Sequence, residues 1–331
     1  VVIADLAADE RHGETVIYIV AQGRIEVYPV NENTITMLAK AQALFLRDAL
    51  SDQEQPADST ASLAFQRNIV QFQEQAIEAS ELYQLPLSVR TAAAAFSNWR
   101  NEPGLREQLQ SCYGTDAAAL DTQADRYIRT LKAASKRGFI PEDGNFVIIR
   151  APGRIKIGNA NDYAGAMFDS AVMATQEDTI FIMSAREDNK INLGTIDRER
   201  FSDCGSYSVD DHGLNPTFLI TGMDSWDKWF NSLPADEHPM PAGVTDRDKF
   251  WFAMPWAATA WVRGAAPDKK TGKGYNLFVG DSTLPTAGGL SSSSSILVGA
   301  LLGLNELENL NWSPEEIIEA GYAERGSCGT A

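Results

Sequence analysis

Three cysteines in 331 residues are too few, and too far apart, to staple a fold. Cys112, Cys204 and Cys328 are odd in number and widely spaced, so the sequence predicts free thiols in a reducing cytoplasm rather than a disulfide framework. Histidine is as scarce. His12, His212 and His238 stand in no metal-ligand spacing with the cysteines, which argues against zinc chemistry. Positive charge is in deficit, with 28 Lys and Arg against 45 Asp and Glu and a net charge of −17. Nucleic-acid and anionic-membrane partners both need a basic face, so neither is expected. Long apolar runs are missing too: none approaches the roughly 20 residues of a membrane span, and the first residues do not read as a secretory signal.

What is present is an ordinary globular composition, 44% hydrophobic and 22% charged, in a chain long enough for more than one structural unit. Thr15–Val20 and Arg24–Tyr28 read as two strands around Gln22-Gly23. Phe65, Ile69, Phe72, Ala76, Ala79 and Tyr83 recur at steps of four and three, an apolar helical face that Pro86 stops. A second helix is expected from near Asp116 to Arg137, with Leu120, Ala124, Ile128 and Leu131 on one face and Gly138 at its end. From Asn145 the texture becomes α/β. Asn145–Arg150, Thr179–Met183 and Lys190–Leu193 read as strands, and Ala151-Pro152-Gly153-Arg154 breaks or bends the first. Asp210 to Asp248 is rich in Pro and Asp with scattered aromatics, and reads as a surface excursion. Trp251–Arg263 reads as a helix with core aromatics.

The most informative stretch is TLPTAGGLSSSSSILVGALLG, Thr283 to Gly303. A Gly/Ser linker is the plain reading of such a composition. Its neighbours argue otherwise: Tyr275–Val279 reads as a strand, and Ile296–Leu302 as a buried helix continuing toward Leu310. Strand, glycine turn and serine-rich helix start together make an anion site. The first N–H groups of a helix lack intrahelical partners and sit at the positive end of its dipole. Gly288 and Gly289 let a ligand approach the main chain. Serine hydroxyls can cap the helix, bond a phosphate oxygen or ligate magnesium. No Gly-Lys-Ser/Thr follows the glycines, and GxGxxG is absent, so neither common nucleotide fingerprint applies.

A second motif, APGRIKIGNANDYAGA from Ala151 to Ala166, completes the pattern. Together APGR…DY.G and LPTAGGLSSSSS resemble the sugar-kinase branch of the GHMP kinases, galactokinases above all. Trp261-Val262-Arg263-Gly264, then Gly280–Pro285, then Ala323-Glu324 and Cys328-Gly329 continue the likeness in order. The resemblance implies an α+β fold: a GHMP-kinase N-terminal domain with a mixed sheet backed by helices, over residues 139–331. A mostly helical extension with a short β-hairpin, residues 1–138, precedes it. It implies ATP and Mg2+ as cofactors, a small-molecule sugar as partner, and phosphorylation of that sugar, typically at its anomeric hydroxyl. Main-chain N–H groups of Gly288, Gly289, Leu290, Ser291 and Ser292 are expected to cradle phosphates. Ser293 and Glu324 are expected to hold the metal, Arg154 to stabilise charge on the reacting oxygens, and Asn159, Asp162 and Tyr163 to line the sugar site.

The chain departs from the family in two places. Galactokinases read GEHTDYNGG where this chain reads Gly158–Ala166, so Asn159 and Ala160 replace the Glu-His pair that grips the sugar's far hydroxyl. A site that loses such partners changes its preference, and a pentose or another hexose becomes a contender beside galactose. The chain also stops at Ala331, at or before the family's catalytic Asp, so a truncated kinase lacking its second domain and inactive alone is expected. Two other readings stay open: a non-catalytic regulator that binds ATP and sugar on the same fold, and a GHMP kinase for a non-sugar alcohol.

Overall fold

The computed structural model describes residues 3–9, 14–21, 24–29, 85–142, 145–157, 171–199, 206–208, 214, 219–234, 249–266, 273–285 and 290–324. The chain divides into two compact units, Val1–Leu85 and Pro86–Ala331.

In the first unit, β1 (Ile3–Asp9), β2 (Glu14–Ala21) and β3 (Arg24–Pro29) form an antiparallel sheet in chain order. Ala21 lies opposite Arg24, so the pairing of β2 with β3 runs to the last described residue on each side. The hairpin is the one its sequence predicts. β1 is an addition: the Ala- and Asp-rich run IADLAAD lacks the β-branched density that marks its neighbours. The apolar seam Phe65–Tyr83 lies outside the described residues.

The second unit opens with three helices: α1 (Leu87–Ser97), α2 (Pro103–Tyr113) and α3 (Ala117–Lys136). Asp116 caps α3 by accepting from the Ala119 N–H at 2.8 Å, and Gly138, at φ 74°, lets the chain leave it. The buried face runs Leu120, Ala124, Tyr127, Leu131 and Ala134. Tyr127 rather than Ile128 holds the middle position, because its ring stacks on Phe96 with centroids 4.5 Å apart.

A five-stranded mixed sheet follows, built from β4 (Phe146–Ile157), β5 (Ala171–Ala185), β6 (Lys190–Thr195), β7 (Ser206–Ser208) and β8 (Tyr275–Ser282). Its order is β4-β5-β8-β6-β7. β6 and β8 run parallel, and the other pairs are antiparallel. A parallel pair needs a long crossover, and here it carries α4 (Met223–Phe230) and α5 (Lys249–Ala265). After β8 come α6 (Ser292–Leu307), α7 (Pro314–Ala320) and a 3-10 turn at Gly321–Ala323. This is the α+β arrangement the resemblance implies.

Both faces of the sheet are covered, and alternation along β8 shows how. Leu277 and Val279 join the core cluster formed with α5 and α6, while Phe278 meets Phe139 just beyond α3 and Gly280 meets Thr130 on α3. A Cβ on Gly299 of α6 would lie 2.6 Å from the Phe181 ring, so the missing side chain sets how closely that helix lies on the sheet.

One reading changes. The described part of the Asp210–Asp248 stretch is no surface excursion: Trp226, Trp229 and Phe230 are buried in the core, with Leu214 and Ile220 beside them. Their i, i+3, i+4 spacing makes one apolar face of α4, which a composition averaged over the whole Asp210–Asp248 stretch conceals. Helices α1 to α3 lie in the same unit, Pro86–Ala331, as the five-stranded sheet. They bond directly to the sheet through buried side chains described below.

Candidate nucleotide-phosphate site

The path into the serine run starts from a double tie. The Thr283 N–H donates to the Asp178 carbonyl at 2.9 Å, and the Asp178 N–H donates to Thr283 Oγ1 at 3.0 Å. Gly288 and Gly289 lie outside the described residues. Leu290 and Ser291 bring the chain to α6, and Ser291 adopts a left-handed conformation, φ 59° and ψ 49°, rare for a residue with a side chain. Ser291 makes no side-chain cap hydrogen bond, so it leaves the first N–H groups of α6 uncapped.

The serines then divide by role. Ser295 is buried and its Oγ donates to the Ala151 carbonyl at 2.9 Å. Ser293 and Ser294 turn instead to one carboxylate: Ser293 Oγ donates to Glu324 Oε1, and Ser294 Oγ to Glu324 Oε2, each at 2.6 Å. Glu324 reaches them because the 3-10 turn after α7 brings it back to the start of α6. The two residues expected to share a metal are thus in direct contact.

The APGR motif lies against the same helix start. β4 is an edge strand, which tolerates Pro152, and its register with β5 shifts between Pro152 and Arg154, the mark of a bulge. The Arg154 N–H donates to the Leu290 carbonyl at 3.1 Å. Gly153 is what allows this approach. A Cβ there would sit 2.9 Å from that carbonyl oxygen and 2.9 Å from Thr175 Oγ1, and would collide with the Leu284 side chain. Arg154 itself is half-buried. Asn159, Asp162 and Tyr163 lie outside the described residues.

Beside both motifs lies a charged cluster that the sequence signals only faintly. Asp178 is wholly buried. Its carboxylate accepts from Arg126 Nη2 at 2.7 Å, from Arg150 Nε at 2.5 Å and from the Tyr113 hydroxyl. Arg126 Nε also donates to Asp281 Oδ1 at 2.8 Å, and Arg129 Nη2 to Asp281 Oδ2 at 2.7 Å. Burial, with Tyr127 and Asp178 adding to it, pushes the Tyr113 hydroxyl far above its ordinary range, and burial pushes Tyr127 up to about 12. Burial also raises the Asp281 carboxyl, but hydrogen bonds from Arg129 and Arg126 outweigh it and hold the group below the ordinary carboxylate range. The cluster joins α2, α3, β4, β5 and the end of β8. One faint signal exists in the sequence: Arg150 directly precedes APGR, and Asp281 directly precedes Ser282-Thr283.

Among the described residues, no group of three or more His, Cys, Asp or Glu could hold a metal ion, and no helix is long and apolar enough to cross a membrane. The Ser293–Glu324 pair offers hard oxygens alone, a donor set that suits magnesium, which is bound through one or two carboxylates and the phosphates it accompanies.

Comparison with known proteins gives a partial match. Residues 257–331 match the family described as GHMP kinases N terminal domain. No curated protein matches the chain. Among solved structures, Methanococcus jannaschii mevalonate kinase is similar at 14% identity and a TM-score of 0.38, over 56% of this chain and 48% of that one. Lactococcus lactis galactokinase complexed with galactose is similar at 22% identity and a TM-score of 0.41, over 61% of this chain and 42% of that one. The chain spans less than half the length of either solved protein. The segment that carries the serine-rich helix start and Glu324 is thus the one similar to the GHMP kinases N terminal domain, over residues 257–331.

Proposed function

We propose that this chain is the nucleotide-binding part of an ATP-dependent phosphotransferase that acts on an alcohol group, and that its acceptor is a monosaccharide, as in a galactokinase-type sugar kinase. The observation that carries the proposal is the hydroxyl–carboxylate cluster of Ser293, Ser294 and Glu324 at the first turn of α6, in the segment matched to GHMP kinases. Phosphoryl transfer asks a protein mainly for positioning and charge neutralisation. Main-chain N–H groups from Gly288 to Ser292 hold the phosphates at the positive end of the helix. Ser293 and Glu324 supply oxygens for Mg2+, which when bound neutralises charge on the phosphates. Arg154, on the strand whose backbone bonds to Leu290, stabilises charge on the attacking oxygen. Asn159, Asp162 and Tyr163 orient the acceptor. With Asn159 and Ala160 in place of a Glu-His pair, a pentose or a hexose other than galactose fits the reading as well as galactose does.

The test has two stages. Thermal unfolding of the chain is measured with and without millimolar Mg-ATP, and a rise of about 2–5 °C is expected. ATP-dependent phosphorylation is then assayed on the full-length protein across hexoses, pentoses and mevalonate, with Arg154→Ala and Asp162→Ala alongside. Absence of any Mg-ATP shift removes the nucleotide site. Turnover indifferent to both substitutions removes the residue roles, and turnover of mevalonate alone removes the sugar.

A further inference from the structure

The last residues of β8 leave the regular ladder, and α3 is what holds them. Phe181 pairs with Val279 and Thr179 with Ser282, so β8 carries one residue more than β5 over this step. Gly280 and Asp281 together face Ile180, a β-bulge on the strand that leads toward the serine run. The main-chain groups of Asp281 find their partners on α3. Its N–H donates to Thr130 Oγ1 at 3.0 Å, and its carbonyl accepts from Arg126 Nη2 at 3.1 Å. Thr130 and Arg126 are both buried, so these bonds are not ones that bulk water can replace. The approach is close, since a Cβ on Gly280 would collide with the Thr130 side chain. Past the bulge, β5 takes over: the Thr179 and Ser282 hydroxyls lie 2.8 Å apart, and Thr283 exchanges its two bonds with Asp178. Arg126 reaches that residue too, through the Asp178 carboxylate.

Resting on the reading of the segment after Leu284 as a phosphate site, we propose that Thr130 and Arg126 are positioning residues for the nucleotide. Acting through Asp281, they fix the bulge that aims the chain from Thr283 onward. A bulge bends its strand and increases the local twist, so whatever holds it sets the direction in which the next residues leave the sheet. The helices ahead of the sheet thereby become part of the machinery for Mg-ATP. A purely structural α3 predicts something different: loss of the Thr130 hydroxyl would lower stability and leave the affinity of the folded protein alone.

Equilibrium titration of the full-length protein with Mg-ATP, paired with urea unfolding of each variant, separates the two. Thr130→Val keeps the volume and removes the acceptor for the Asp281 N–H. It is expected to bind Mg-ATP about tenfold more weakly than wild type at a temperature where both are folded. Thr130→Ala, measured in parallel in case the valine disturbs packing, is expected to weaken binding in the same way. Thr130→Ser restores the acceptor and is expected to bind as wild type does. Thr259→Val is the comparison. Thr259 is also buried, on α5, and its hydroxyl bonds to the Pro255 carbonyl at 2.8 Å and to the Tyr275 hydroxyl at 2.7 Å, at the other end of β8. Its loss is expected to lower stability and leave Mg-ATP affinity unchanged. If folded Thr130→Val and Thr130→Ala bind Mg-ATP as wild type does, or if Thr259→Val weakens binding as much as they do, the positioning role is overturned and the phosphate site stands. If Thr130→Ser binds as weakly as Thr130→Val, the hydroxyl is not the cause and the proposal is overturned as well. If wild type itself binds no Mg-ATP, the phosphate site falls and takes this proposal with it.

Discussion

Asp178, wholly buried on β5, is held by two guanidinium groups and a phenol, whereas Glu324, half-buried after α7, has two serine hydroxyls as its side-chain partners among the described residues. The two carboxylates lie in the same unit, yet their charges are treated in opposite ways. At Asp178 the charge is neutralised within the protein, as a fully desolvated ion must be. At Glu324 neutral donors soften it, which a half-exposed site permits. A carboxylate closed by the protein's own cations is framework. One bonded to hydroxyls is the one to which the proposed function gives the magnesium of the nucleotide.

That contrast can be broken most forcefully at Asp178. Asp178→Asn takes one of two counter-charges from the buried Arg126, which keeps Asp281, and removes the carboxylate that pairs with the half-buried Arg150, and a loss of about 3–5 kcal/mol is expected in urea unfolding. A loss below 1 kcal/mol, on the order of an exposed pair, would erase the distinction. Gly153→Ala comes next. The new methyl meets the Leu290 carbonyl, Thr175 and Leu284, so about 1–3 kcal/mol should be lost, and the Mg-ATP thermal shift should shrink with it.

Asp281 gives a smaller and pH-dependent effect. Its folded-state pKa is depressed, so its contribution is present above the unfolded value of about 4 and is lost as pH falls toward the folded value. Asp281→Asn should cost about 1–2 kcal/mol at neutral pH. Urea midpoints of variant and wild type should converge as pH drops from about 5 to about 2, and a gap that stays constant would show that charge is not the cause. The smallest stability effect belongs to Glu324→Gln, within about 1 kcal/mol of wild type, which thermal melts in the absence of nucleotide will read.

How far the sequence discloses all this depends on the range of the signal. Tyr275–Val279, the serine run and Ile296–Leu302 are adjacent in the chain, and their strand–turn–helix order is legible from local chemistry alone. The face of α3 reads one position off at Ile128, because the stacking of Tyr127 on Phe96 is a tertiary fact. Trp226 and Trp229 hide in an acidic, proline-bearing stretch whose average is polar. The Asp178 cluster is hidden most completely, since Arg126, Arg150 and Asp281 are residue types that normally face water and nothing local marks their convergence. Glu324 emerges from a family resemblance and not from periodicity, for an acid on a polar turn carries no local signal of a partner 31 positions away. The sugar-side residues Asn159, Asp162 and Tyr163, with Gly288 and Gly289, lie outside the described residues, so their roles stay with the proposal.

The bond from Ser295 to Ala151 spans 144 positions, and with the Arg154–Leu290 contact it sets a folding order. Helix α6 can nucleate from its own neighbours, but its first turn acquires its final shape only when the distant edge strand has zipped onto β5. Closing so long a loop is slow. Ligand competence in this chain should therefore emerge after helical content in a stopped-flow refolding trace, as the last event rather than the first.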